Sequence, residues 1–360
     1  MQRKNAKACF GLAVMFLILC ISGGCTSYSE PPKAEASLFA MNTYMTFTAY
    51  GENAETALDG AKARIQELES LWSVTDVTSE IYRANHSNGK SVEVSDETAN
   101  LISFALDMAE ETGGTLDPTI YPVLTAWGFA TDTRQVPAQE QVAELLSLVD
   151  YTRISLEGTI LTVPAGMELD LGAVGKGYTA DLVTALLKEQ GVESSLFSLG
   201  GNIQAIGSRP DGSDWRIGIR DPKGDGNLGV LEISDAAVVT SGGYENCFED
   251  EYGNIYWHIL NPSTGYPVRS GLQAVTIIGT AGRLCDALST ALFVMGVEQA
   301  EAYWRENGGF EMLLVTDQNE IFLTEGIADR FSLNDGRTET IRIMRDASRR
   351  ADRSTNEKKG

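Results

Sequence analysis

Apolar and polar residues alternate through Leu38–Tyr50 (LFAMNTYMTFTAY). A period of two with β-branched and aromatic residues predicts a strand, closed by Gly51-Glu52-Asn53. The period then lengthens. Ala57, Ala61, Ile65 and Leu68 recur at helical spacing through Ala54–Leu71, and Leu101, Phe104, Ala105 and Met108 do so after a Ser95-Asp96 cap. A third helix is expected over Pro137–Val149, and a fourth from the Gly-rich turn at Gly172–Gly177 to Gln190. Short strands are expected at Ile160–Val163, Ser195–Leu199, Trp215–Ile219, Val230–Ile233, Ala237–Thr240, Ile255–Trp257 and Ala274–Gly279. Ala281–Leu292 reads as a helix, and Glu311–Asp317 with Glu320–Thr324 as a hairpin-like pair. Strands and helices are interspersed, and there is no internal repeat.

The two ends differ from this body. Arg3, Lys4 and Lys7 precede an apolar run, Cys9–Ile21, too short for a comfortable membrane span. Ser22-Gly23-Gly24-Cys25 follows, and small residues before a Cys resemble the bacterial lipoprotein cleavage box. That resemblance implies residues 1–24 as a signal peptide, lipidation of Cys25 and anchoring at the extracytoplasmic face of the bacterial cell membrane. Residues 25–37 read as a polar tether, 38–335 as the catalytic body, and 336–360 as a charged, disordered tail.

The 360 residues carry a formal charge of −22, which disfavours a nonspecific nucleic-acid binder. An anionic ligand would need local help from backbone N–H groups, a Lys or a metal ion. Cys247 and Cys285 fit no zinc spacing; pairing and two separate buried thiols are both open.

Candidate chemistry gathers at a few places. His258 stands between a strand-like aromatic run and the rigid turn of Asn261–Pro267, a setting for a general base or for a His that hydrogen-bonds a loop. Trp127-Gly128-Phe129 suits a ring-binding wall or core packing. Strand, Gly-rich turn with Lys176, then helix is a phosphate-cradle arrangement in general terms, without being a Walker A or G-x-G-x-x-G motif. Asp286 and Thr290 are i and i+4 on a helix, so their oxygens share a face and suit Mg²⁺; an Asp near a helix N-terminus is the plainer alternative.

In order, Met41-Asn42-Thr43, Ser79-Glu80-Ile81, Leu116–Thr119 with Trp127–Phe129, Asp170–Gly177, Leu199–Asn202, Thr240–Gly242, His258 with Asn261–Pro267, and Asp286–Thr290 resemble the FAD:protein FMN transferase (ApbE-like) family. The resemblance spans roughly residues 38–333. It implies an α+β fold, with a core of mixed sheets and packed helices related to tunnelling folds, and a Mg²⁺-dependent cleavage of FAD. FMN would pass to a Thr or Ser of an exported target flavoprotein, with release of AMP. It also implies roles: His258 as base; Met41, Trp127, Gly128, Phe129, Asp170, Lys176 and Leu260 for FAD; Ala173, Asp286 and Thr290 for Mg²⁺. Two positions depart from the pattern, Asn42 where Gly is common and Thr75 where a Tyr helps cover the adenine. An FAD pyrophosphatase and a non-catalytic FAD-binding lipoprotein are the competing readings.

Overall fold

Alternating side chains explain why the central strands are almost wholly apolar: successive residues enter different cores. Val239 packs toward the helices and its neighbour Val238 toward a second sheet, and Ile277 and Ile278 divide in the same way. The computed structural model describes residues 30–131 and 133–346.

The main sheet has nine strands, and their spatial order is their chain order. They are β1 Lys33–Ala40, β2 Thr43–Tyr50, β3 Ser194–Leu199, β4 Asn202–Ile206, β5 Ala237–Gly242, β6 Leu272–Gly279, β7 Glu311–Thr316, β8 Glu320–Thr324 and β9 Thr340–Met344. Neighbours are antiparallel except β8 and β9, which run parallel. One face carries the helices α1 Ala54–Trp72, α2 Asp96–Glu111, α3 Gly175–Glu189 and α4 Gly282–Met295. The opposite face packs Val238, Ala274, Ile278 and Leu313 against Trp215, Ile217 and Leu231 of a three-stranded sheet. The fold is therefore α+β, as the resemblance implies.

Three expectations change. The single strand over Leu38–Tyr50 is a hairpin, because Met41 and Asn42 both take positive φ (48° and 56°) and reverse the chain. Second, the tether is shorter than residues 25–37: β1 begins at Lys33, where Ala34 and Ala36 reach the core while Lys33 and Glu35 pair outside. Third, residues 336–360 are not uniformly tail. Thr340–Met344 adds to the sheet beside β8, with Met344 buried. The helices Glu80–Asn85, Tyr121–Ala126 and Val297–Asn307 had no clear periodic signal; the last buries little beyond Ala300 and Trp304. The signal segment, Cys25 and the chain beyond residue 346 lie outside the described residues.

Two of the quoted sequence motifs serve the frame. Ser79 caps the helix Glu80–Asn85, while the Glu80 carboxylate accepts from the N–H and hydroxyl of Ser95, the α2 cap. Asp117 accepts from the Thr119 N–H and hydroxyl and from the Tyr151 N–H. Cys247 is exposed and Cys285 buried, both free thiols.

Candidate active site

Two helices meet here because two glycines let them. A Cβ on Gly177 would lie 2.3 Å from the Gly282 carbonyl oxygen and 2.6 Å from Asp286 Cβ. Asp181 then caps α4, accepting from the Gly282 N–H (2.6 Å) and the Arg283 N–H (3.3 Å). This close crossing brings buried Asp286 to the N-terminus of α3, where Oδ2 accepts the Gly177 N–H at 2.8 Å. In a continuous helix that N–H would go back to the Ala173 carbonyl. Because α3 begins only at Gly175, this first-turn N–H has no intrahelical acceptor and Asp286 supplies one, with Ala173 two residues ahead of the helix.

Thr290 lies one turn beyond Asp286 on α4, as the spacing predicts. Ser241 of β5 supports it from below, 3.4 Å from the Thr290 hydroxyl and 2.7 Å from that of Ser289. Carboxylate, hydroxyl and backbone carbonyl are hard oxygen donors, the chemistry Mg²⁺ selects, so these residues fit that ion. Among the described residues, however, no group of three His, Cys, Asp or Glu side chains is placed to hold a metal. Any such ion would depend on the mixed donor set.

Lys176 is the electrostatic hub. Its ammonium donates to the Gly172 carbonyl at 3.1 Å. It also acts on Asp170, Glu245, His258 and Asp286. Burial raises the pKa of each of those three carboxyls, and Lys176 opposes the rise. For Asp170 the Gly172 N–H, at 2.9 Å, also opposes it. The His258 pKa is pushed down to about 4, first by desolvation and then by Lys176 and Arg134. Its imidazole is therefore neutral at neutral pH and able to accept a proton. Nδ1 is buried without a hydrogen-bond partner among the described residues.

A hairpin, Cys247–Glu249 with Ile255–Trp257, carries His258 at its end. The His258 N–H donates to the Asn246 carbonyl at 3.0 Å. Arg134 bridges two segments, donating to the Gly128 carbonyl and, at 2.8 Å, to Asn246 Oδ1, with its guanidinium 5.3 Å from the Phe129 ring. Phe129 stands 6.5 Å from the His258 ring and 5.6 Å from Phe248. Outside this contact lies an open cavity of about 700 Å³ between Arg134–Val136 and the hairpin.

The predicted flavin residues do not all point the same way. Trp127 is 0% exposed, with its indole N–H on the Gly265 carbonyl at 2.8 Å, so its side chain is a prop rather than a wall. Leu260 is buried in the same cluster and bridges Pro267 through its backbone. Phe129 is nearly buried, and Gly128 adopts φ +76° where a Cβ would strike the Thr133 carbonyl. Met41 sits apart on the hairpin turn, its N–H on Glu69 Oε1 (2.6 Å) and its sulfur accepting from the Thr179 hydroxyl (3.7 Å). Asn42 tolerates the left-handed turn that Gly would also fill. Thr75 is exposed in a turn held by Ser73. Glu245, Asp181 and Arg134 were not singled out in the sequence, and Ser241 only as part of the Thr240–Gly242 motif, since each acts through partners far along the chain.

Comparison with known proteins gives this geometry its context. The sequence model of the ApbE family matches residues 41–314. The chain belongs to the ApbE family. It is 30% identical to the FAD:protein FMN transferase of Treponema pallidum (strain Nichols), over 93% of this chain and 98% of that protein. It is 34% identical to the enzyme of the same name from Klebsiella pneumoniae (strain 342), over 74% and 84%. Among solved structures, the ApbE protein of Thermotoga maritima superposes with a TM-score of 0.75 at 32% identity, covering 84% of this chain and 97% of that one. The ApbE relatives are transferases, and this chain is an enzyme of that class.

Proposed function

We propose that the chain is a Mg²⁺-dependent FAD:protein FMN transferase. The observation that carries this reading is the meeting around Lys176 of a neutral His258, the α3 N-terminus, and the paired Asp286 and Thr290. The α3 N-terminus and Lys176 supply positive potential for the FAD pyrophosphate in a protein whose overall charge is strongly negative. Asp286, Thr290 and the Ala173 carbonyl would hold Mg²⁺. When bound, that ion neutralises charge on the pyrophosphate as its P–O–P bond breaks. Neutral His258 takes the proton of a Thr or Ser hydroxyl of the target protein. The freed oxygen attacks the FMN-side phosphorus, a phosphoester forms, and AMP leaves with the bridging oxygen. Asp170 and the backbone around Gly128 and Leu260 are read as FAD contacts, with Met41 completing the site from the β1–β2 turn.

The test is intact-mass spectrometry of a candidate acceptor domain incubated with the enzyme, FAD and Mg²⁺. Transfer adds FMN minus water to the acceptor, and a chelator abolishes the gain. FAD converted to FMN and AMP with no gain would mark a pyrophosphatase. FAD bound but not consumed would mark a carrier. Export and lipid anchoring through Cys25 belong to the same proposal. A Cys25→Ser protein is expected to leave the membrane fraction, and its retention there would refute the anchor.

A further inference from the structure

The β3–β4 connection is a two-residue turn, Gly200-Gly201, with φ of +64° and +93°. A Cβ on Gly200 would lie 2.1 Å from the Thr43 hydroxyl oxygen, so the turn is locked against the start of β2. Its tightness fixes the next residue, Asn202, as the first of β4. Asn202 lies opposite Val239 in the sheet, and Val239 packs toward the helices. The Asn202 amide therefore points to the helix layer, where it faces the Asp286 carboxylate. The side chain is 2% exposed; its amide N–H acts on Asp286 as a hydrogen-bond donor that lowers the carboxyl pKa, though the contact falls short of full hydrogen-bond geometry, and Oδ1 has no partner among the described residues. A buried amide with one strained contact and one unmade bond is unusual, because buried polar atoms are normally paired.

We propose that Asn202 is a positioning residue of the cation site. Its amide steers the Asp286 carboxylate toward the ligand that Asp286 and Thr290 would share. Ser241, one strand over, supports Thr290 in the same manner, so each helix ligand rests on one sheet side chain. The amide oxygen would be placed to accept a hydrogen bond from a water held by that cation. The inference rests on the cation-site reading above.

The physical consequence separates this role from a structural one. Asn202→Leu keeps the branching and heavy-atom count of the side chain, adds some bulk, and removes the amide's polar atoms. A fold that gains nothing from the amide keeps or raises its Tm on that change. Cation affinity falls 10- to 100-fold, the usual effect of losing a group that orients a ligand. The experiment is Mn²⁺ titration of the soluble protein by electron paramagnetic resonance, with Tm measured on the same samples. Wild type, Asp286→Ala and Asn202→Leu are compared. The expected result is tight Mn²⁺ binding by wild type, none by Asp286→Ala, and weakened binding by Asn202→Leu at unchanged or higher Tm. Equal affinity in Asn202→Leu and wild type overturns the positioning role. So does an affinity loss that is accompanied by a Tm loss above roughly 5 °C, which would show the change to act through the fold rather than through the carboxylate. Absence of Mn²⁺ binding by wild type would instead overturn the cation site itself.

Discussion

His258 is useful because it is uncomfortable. Desolvation and the nearby Lys176 charge keep its ring neutral down to about pH 4. Protonation removes a base, so activity is lost as pH falls through the pKa of the free base. With His258 as that base, FMN transfer should stay flat from pH 8 to about 5 and fall only below that. An unperturbed histidine would begin to fail near 6.5. Lys176→Met removes one cause of the depression, so the acid limb should move to higher pH while FAD affinity drops. A pH–rate profile of the two proteins checks both effects. His258→Ala should lower transfer by roughly 10²–10⁴-fold with FAD binding little changed. Unaltered transfer would remove His258 from the mechanism.

Lys176 and His258 were legible at this scale because each combines scarce chemistry with a breaker-rich turn. Glu245 was not. Its relation to Lys176 and Asp286 exists only after β5 and α4 are brought together, and nothing in Tyr244-Glu245-Asn246 announces it. Trp127 shows the converse: its pattern allowed either a wall or a prop, and only packing chose the prop.

Among the elements, the α3–α4 crossing matters most. The i, i+4 spacing of Asp286 and Thr290 and the helix that carries them could be read from the sequence. That Gly177 faces Gly282 could not, since sequence marks a glycine without naming what approaches it. Gly177→Ala should push the helices apart and displace Asp286. The overpacking penalty is about 1–3 kcal/mol, and loss of the cation site should exceed what stability alone predicts. Calorimetry together with Mn²⁺ titration would separate the two; unchanged Tm and affinity would contradict the close contact. The turn at Met41-Asn42 was missed for a related reason. Alternation continues through it, and the reversal depends on two residues adopting positive φ.

At the scale of the whole molecule, the sheet ends in a strand that composition had consigned to the tail. Thr-Ile-Arg-Ile-Met is short and flanked by charge, and its strand character comes from the partner it meets. Truncation after Asp335 would strip β8 of its neighbour and expose Leu323 and Ile321 near a new edge. The expected outcome is a lower Tm and self-association, read by thermal scanning and light scattering. A truncated protein as stable and monomeric as the full body would show β9 to be dispensable.

The sequential order of the sheet hides a long detour. Tyr50 pairs with Ser194, so α1, α2, the Gly-rich turn and α3 all lie in the chain between β2 and its partner β3. Closing so large a loop costs entropy before contacts repay it, which makes this pairing a slow step in folding. Lys176 and Asn202 lie on either side of that junction, and Asp286 arrives later still. A pocket built across that junction is expected to form late, and Mn²⁺ uptake followed during refolding would show whether it marks the completion of folding or its onset.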